Sequence, residues 1–307
     1  MADKNAWKEY LLKSSLPLEQ IVTEKVEDKA FYVHGEYPYI RPNEKEDETE
    51  FSVDLHARTG YANYTSQTSE KYQYSLNLLL ECKYSYPGIK WIFSPNPSFF
   101  SNSRHIYALI DKQEFRQYKH SISLPVCTKG VGLYSNGFDP HNISRGLNQL
   151  RYAMPNLILQ ELIYTQYPED EVEHRQSFIC LILVTTAQLY VLKTRQDLDA
   201  YHSAGSITDI AEQVSSLIVK QDKSPDLQLY SQIVMKPLVN LLMEGTDLEG
   251  GYPMAKHFSG KNLDRKTLAN SLIERFIPKD TPVFVVNLDA LDNVLESLQK
   301  DVLTMKI

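Results

Sequence analysis

Three cysteines, Cys82, Cys127 and Cys180, are all that the 307 residues contain, and they stand far apart with no CxxC pair. A disulfide framework is thereby excluded and no zinc-ligand spacing is present, so buried free thiols are expected. No apolar run approaches the roughly 18 residues of a membrane span. The longest, around Phe178 to Thr185, is strand-sized. The opening MADKNAWKEY has neither the basic region nor the apolar stretch of a secretory leader, which predicts a cytoplasmic protein without a membrane partner. Glycine and proline are not in excess and hydrophobic residues make up 42%, which excludes a disordered or fibrous chain. Positive charge is in deficit, with 32 Lys and Arg against 39 Asp and Glu and a net charge of -7. That argues against coating nucleic acid by bulk charge, while leaving room for a local basic groove. The GxGxxG, Walker A and GxSxG patterns are also missing, so dinucleotide, P-loop and serine-hydrolase chemistry have no support.

What is present reads as an α/β order. Leu18, Ile21, Val22 and Val26 fall on one stripe of an amphipathic helix over Pro17 to Ala30. Extended runs follow at Phe31 to His34, Tyr37 to Ile40 and Phe51 to Ala57, the acidic stretch Glu44 to Glu50 between them reading as a solvated loop. Alternation in the third run predicts Val53, Leu55 and Ala57 on one face and Asp54 with His56 on the other. Leu76 to Tyr84 is a buried central strand, after a polar stretch from Arg58 to Ser75 that reads as a long hairpin loop or an irregular edge. Ile89 to Phe93 is a further strand, and Ser94 to Phe100 a turn region. A helix is predicted from Ile143 to Tyr164, broken or kinked at Pro155. Phe178 to Val184 and Pro282 to Asn287 are buried strands, Leu189 to Lys193 an edge strand and Leu288 to Val302 a closing helix. Asp197 to Gly245 reads as mostly helical and Gly250 to Lys261 as loop. A mixed central sheet flanked by helices follows, with a core over residues 1–195, a helical insertion or lid over 196–280, and a last strand and helix over 281–307.

Chemistry concentrates on two strands. Asp54 lies mid-strand, where a buried carboxylate is costly unless paired or bound to a cation. Glu81 and Lys83, two residues apart after three leucines, project from one face. If the strands are neighbours, Asp54 and Glu81 can converge on one Mg²⁺ with Lys83 beside it. Such a centre suits phosphodiester hydrolysis, which asks for neutralised phosphate charge, an acidified water and a cation at the nucleophile. The plainer alternative is a Glu81–Lys83 ion pair at a strand end, with Asp54 a solvated edge residue.

The stretches FSVDLHA, LLLECKY and NISRGLNQLRYA, following an amphipathic helix and a strand, resemble the PD-(D/E)XK nuclease superfamily. The resemblance implies a restriction-endonuclease-like core similar to Mrr-like, RecB-type and Holliday-junction-resolvase enzymes. It matches Asp54 to the motif aspartate, with Val53 where proline is commoner, and Glu81, Cys82 and Lys83 to the (D/E)XK element. Asp54, Glu81, Cys82 and, from the first helix, Glu19 rather than Glu24 are the implied metal positions, for Mg²⁺ with Mn²⁺ as substitute. Gln149 is matched to the site-steering glutamine, and Tyr152 to its companion tyrosine, although QLRY departs from the RecB-type QxxxY spacing. FICLILVTTA and PVFVVNLDALDNVL resemble the family's last strands and final helix. The implied activity is a DNA endonuclease of restriction, phage defence or repair, acting as a homodimer or with a partner subunit, with RNA as an alternative substrate. A non-catalytic nucleic-acid-binding or scaffolding module is the alternative on the same fold.

Other residues read less sharply. Arg145 and Arg151 flank Gln149 and could contact phosphate, or sit on a solvated helix face. His56 reads as a histidine hydrogen-bonded beside the site. The 20 tyrosines could stack on bases or simply pack.

Overall fold

In the computed structural model the chain is described over residues 6–42, 48–60, 62–65, 71–96, 106–110, 114–118, 121, 123–134, 137–139, 141–163, 174–237 and 280–304. Residues 97–100 of the turn predicted over Ser94 to Phe100, most of the acidic loop and the loop over 250–261 lie outside these residues, while Ser94 and Pro95 end a strand.

The architecture is α/β, a large mixed sheet flanked by helices. Three apolar strands form its centre: β4 (Lys71–Lys83), β10 (His174–Thr185) and β14 (Val283–Asn287) run parallel and adjacent. Both faces of each are covered, which is why LNLLLEC, FICLILV and VFVV read as nearly unbroken apolar runs. Outward from β4 come β2 (Glu48–Thr59) and β1 (Phe31–Pro42), antiparallel to their neighbours. On the far side the order continues from β14 through β13 (Ser216–Val219), β8 (Val126–Tyr134), β5 (Lys90–Pro95) and β11 (Gln188–Leu192) to β12 (Ala211–Val214). Short strands β3 (Ala62–Thr65), β6 (Ile106–Ile110), β7 (Glu114–Tyr118) and β9 (Gly137–Asp139) pair beside this path.

Two helical layers cover the sheet. On one face α3 (His141–Ile163) buries Ile143, Leu147, Leu150, Leu157 and Ile158 against Leu79, Leu181 and Leu183. Against α3 packs α6 (Pro225–Val234), where Asn156 donates to the Tyr230 hydroxyl at 2.6 Å. On the other face α2 (Leu16–Asp28) and the last helix, α7 (Leu291–Thr304), bury Leu18, Val22, Val26, Val294, Leu295 and Leu298 against Leu78, Leu80 and Cys180. Lys29 pairs with Glu296 at 2.6 Å and joins those two helices. Short helices α1 (Ala6–Lys13), α4 (Leu198–Ser203) and α5 (Ile207–Ile210), with a 3-10 turn at Leu288–Ala290, complete the described elements. Among the described residues no helix is long and apolar enough to cross a membrane.

Several expectations need correction. The helix continues through Pro155 to Ile163; a proline removes one donor and disfavours continuation, but the buried stripe of Leu150, Met154, Leu157 and Ile158 holds both halves on the sheet. Ile21, placed on the buried stripe of α2, is 42% exposed. Leu189 to Lys193 is no edge: β11 lies between β5 and β12. The block over 196–280 is not purely helical, because Ala211–Val214 and Ser216–Val219 are strands, the second inserted between β14 and β8 and buried throughout. Ile210, Ala211, Val214, Leu217 and Ile218 fit a helical period, yet the β-branched run around Ile218 and Val219 gains more by burial on both faces of a sheet.

Two irregularities position the candidate site. Along β1 and β2 the register shifts at Val33/Gly35 and again at Gly35/Tyr37. At the first shift His34 is the extra residue, and Gly35 at φ 81 supplies left-handed backbone. At the second, Asp54 and Leu55 together oppose Glu36, a β-bulge. Both strands change face there: Phe31, Leu55 and Ala57 join the core under α2, whereas Tyr37, Tyr39 and Val53 join the core under α3. The strict alternation expected for Val53, Leu55 and Ala57 therefore fails, and the bulge falls on Asp54.

Candidate active site

Glu81 and Lys83 share the α3 face of β4, as their spacing requires, and Lys83 donates a hydrogen bond from its ammonium to Oε1 of Glu81. Glu81 is fully buried and its other oxygen, Oε2, has no partner among the described residues. Burial first, and then the nearby Asp54 charge, push its carboxyl up to about 7 against the pull of Lys83. Such a carboxyl is only part-ionised in neutral solution, and positive charge brought to it would favour the ionised form.

Asp54 reaches across from the bulge. Its Oδ2 accepts the backbone N–H of Cys82 at 2.6 Å, a charge-assisted contact that ties the β2 bulge to the end of β4. Burial raises the Asp54 carboxyl above its ordinary value, with the Cys82 N–H and Lys83 opposing and Glu36 adding to the rise. Glu19, in the first turn of α2, is shifted in the same direction by burial and by Asp54 and Glu36, with Lys83 opposing. Glu19, Asp54 and Glu81 therefore come within electrostatic reach in a chain, Asp54 acting on both of the others. Glu24 is turned away to an exposed bond with Gln20 at 2.9 Å.

Cys82 is divided between the two faces. Its thiol is buried in the α2–α7 core and its pKa lies well above the usual thiol range because of burial and the three carboxylates near it. The thiolate is thus disfavoured as a metal ligand, and the backbone carbonyl is the part of Cys82 left to serve. From α3, Gln149 donates to the Ser52 carbonyl at 3.1 Å, while its own Oε1 is buried and has no partner among the described residues.

Two residues of this site carry no strong sequence signal. A Cβ built on Gly146 would stand 2.8 Å from Leu183 Cδ1, 3.3 Å from Lys83 Cε and 3.5 Å from Glu81 Cγ. The bare backbone there lets α3 cross directly over the Glu81–Lys83 pair; an isolated glycine inside a helical pattern, unfavourable by about 1 kcal/mol relative to alanine, is the available clue. Glu36 accepts from the Ser52 hydroxyl and raises both Asp54 and Glu19. Its proximity depends on the bulge and on nothing in its own neighbourhood of sequence.

The remaining expected contacts separate. Arg145 is exposed on α3. Arg151, expected as a phosphate contact, is 6% exposed and spent on the Thr281 carbonyl at 3.4 Å and on Gln221, burial lowering its pKa to about 10. Tyr152, expected to touch nucleic acid, is also buried: its hydroxyl bonds Asp226, its ring tilts on Tyr230 at 5.2 Å, and Arg41 stacks at 3.9 Å. One residue after another on the helix rotates by about 100°, so flanking Gln149 in sequence does not place a side chain beside it. His56 is buried and stacks on His34 at 5.1 Å, its Nε2 unpartnered and its pKa lowered to about 4 by burial.

Among the described residues no three His, Cys, Asp or Glu side chains are gathered tightly enough to hold an ion as they stand. The donor set nevertheless fits Mg²⁺, which takes one or two carboxylates and keeps several waters. The unpartnered Glu81 Oε2 and Gln149 Oε1 are two buried acceptors in want of positive charge or a donor. Comparison of the chain with protein-family models, with curated proteins and with solved structures finds no match.

Proposed function

We propose that this protein is a Mg²⁺-dependent nuclease, a DNA endonuclease on a restriction-endonuclease-like core, with Asp54, Glu81 and Lys83 as its catalytic centre. The observation that carries the reading is the fully buried Glu81 with one oxygen unpartnered, Asp54 close enough to raise its pKa and Lys83 on the other oxygen. Structural ion pairs seldom keep an uncompensated carboxylate oxygen with a second carboxylate beside it.

Asp54, Glu81 and the Cys82 carbonyl would hold the ion, with Glu19 reaching it through water. Bound there, the ion supplies charge neutralisation at the phosphate and acidifies a water. Lys83 holds Glu81 in place while the site is unloaded, and turns to orient and stabilise the attacking hydroxide when substrate is present. Gln149 Oε1 accepts a hydrogen bond from the nucleophilic water and fixes its direction. Gly146 keeps this space open by lacking a side chain, and exposed Arg145 meets the nucleic-acid backbone at the rim.

The decisive experiment incubates the protein with linear, nicked, single-stranded and methylated DNA, and with RNA, in Mg²⁺ or Mn²⁺, beside Asp54→Asn, Glu81→Gln and Lys83→Ala. Cleavage by the wild type and by none of the variants is expected. A second reading, a non-catalytic nucleic-acid-binding or scaffolding module, is favoured by the closure of Lys83 onto Glu81. Wild-type protein inert on every substrate would select that reading.

A further inference from the structure

We propose that the cavity at the carboxyl ends of β4, β10 and β14 binds an uncharged nucleobase, turned out of its stack. The cavity measures about 850 Å³ and is open to solvent, and Tyr84, Ser85, Thr186, Gln213, Ser215 and Asp289 contribute to its lining. It occupies the crevice beyond the ends of three parallel strands, the usual place for a ligand in an open α/β sheet.

The walls are held in advance. Ser85 N–H donates to Thr186 Oγ1 at 2.8 Å and Thr186 Oγ1 returns a bond to the Ser85 carbonyl at 2.7 Å. Asn287 spans to the Ala187 carbonyl at 2.9 Å and accepts the Asp289 N–H at 3.0 Å, which fixes the turn carrying Asp289. Asn287 is thereby held at both its amide nitrogen and oxygen, whereas the Ser85 hydroxyl, on a residue only 5% exposed, has no partner among the described residues.

The lining chemistry selects the ligand class. Among the described residues it includes no Lys, Arg or His, and Asp289 is the one charged residue among them, so a phosphate or carboxylate meets no cation there but a carboxylate that repels it. Asp289 and Gln213 offer acceptors to an exocyclic amine, and the Gln213 amide adds donors for a ring nitrogen. The Tyr84 ring, edge-on to Tyr86 at 5.3 Å, and apolar Pro87, Leu189 and Val214 provide walls for a flat ring. A neutral aromatic heterocycle with an amine edge satisfies these terms. Choosing a nucleobase among such rings rests on the phosphodiester chemistry proposed for Lys83, the residue before Tyr84; an extruded base would enter here while its phosphate stays outside.

The test titrates full-length protein with adenosine, AMP and glucose by calorimetry in EDTA, so that neither metal nor cleavage contributes. Adenosine should bind, AMP no tighter than adenosine, and glucose not at all. Ser215→Trp fills the cavity from an exposed position whose backbone carbonyl alone is used, by the Asn287 N–H at 2.9 Å, and should weaken adenosine at least tenfold. Asp289→Asn, which keeps the size of the side chain, should weaken it severalfold and serves if the tryptophan variant does not fold. Adenosine binding by Glu81→Gln at wild-type strength, with no cleavage by the wild type, upholds the pocket and removes the nuclease reading. Cleavage without adenosine binding, equal binding by both pocket variants, or AMP favoured tenfold overturns the pocket and leaves the nuclease standing.

Discussion

Replacing Glu81 with glutamine should make the apo protein more stable in neutral solution and leave it unchanged in acid. The Glu81 carboxyl sits at about 7 in the folded chain against 4.5 ordinarily. With about 1.4 kcal/mol for each tenfold in proton affinity, that displacement amounts to about 3 kcal/mol. The sign follows from which state binds more protons. Between pH 4.5 and 7 the folded protein holds the Glu81 proton and the unfolded chain has released it, so wild-type stability falls as pH rises through this window. The full cost is present above pH 7 and absent below 4.5. The Glu81→Gln variant, with nothing to titrate at this position, would carry no such dependence. Urea unfolding of wild type and Glu81→Gln in EDTA, at intervals from pH 4.5 to 8, gives a difference curve on which the variant gains about 3 kcal/mol toward the alkaline end. Adding Mg²⁺ at about pH 8 should close part of the gap by stabilising the wild type alone, by about 2.7 kcal/mol at roughly a hundred times the dissociation constant. A flat difference curve would refute the desolvated-carboxylate reasoning, and a slope of the opposite sign would show that Lys83 overcompensates the burial of Glu81.

On the proposed nuclease reading, in which ionised Glu81 would be the ligand, cleavage at low Mg²⁺ should rise as pH passes through about 7 and the midpoint should move to lower pH as Mg²⁺ is increased; an initial-rate profile reads both. Lys83→Ala should abolish turnover while retaining metal binding by calorimetry, with the Glu81 carboxyl displaced further upward once its ammonium partner is gone. Gly146→Val, which forces a branched side chain against Leu183 and Lys83, should cost about 1–3 kcal/mol in urea unfolding and remove cleavage. Arg145→Ala should weaken DNA binding and lower its salt slope by about one without changing stability. Arg151→Ala should do the reverse, losing about 2–4 kcal/mol of stability from a buried bonded guanidinium and leaving DNA affinity intact.

The elements legible in the sequence are those whose burial leaves an uninterrupted mark. Leu76 to Leu80 and Phe178 to Val184 sit between two helical layers and are apolar for that reason, and α2 shows its stripe because only one side is covered. The strand β8, VCTKGVGLY, is invisible in the sequence because two glycines and two polar residues dilute a half-buried pattern. β12 and β13 read as helix because two four-residue strands joined at Ser215 reproduce helical spacing by coincidence. In the site, the Glu81 and Lys83 spacing is sufficient because a strand's period carries side chains to one face without help from elsewhere. Glu36 and Gly146 need the bulge and the helix crossing, both of them tertiary facts. Arg151 and Tyr152 are misassigned from sequence because proximity along a helix is not proximity in space.

The two irregularities between β1 and β2 cancel. His34 adds a residue to one strand and the bulge at Asp54 and Leu55 adds one to the other, so Phe31 to Val33 and Tyr37 to Pro42 pair with β2 in a common register. Any lineage that loses one of these residues alone shifts half the ribbon by a single place and turns Tyr37, Tyr39 and Val53 out of the core, or Phe31 and Ala57. Loss of both together would restore a straight, well-paired ribbon and remove the turn at Asp54. The ribbon can therefore revert to a sound structural element only in a double step that also dismantles the site, so length conservation in both strands at once is a marker, in any homologue, that Asp54 is being kept where it is.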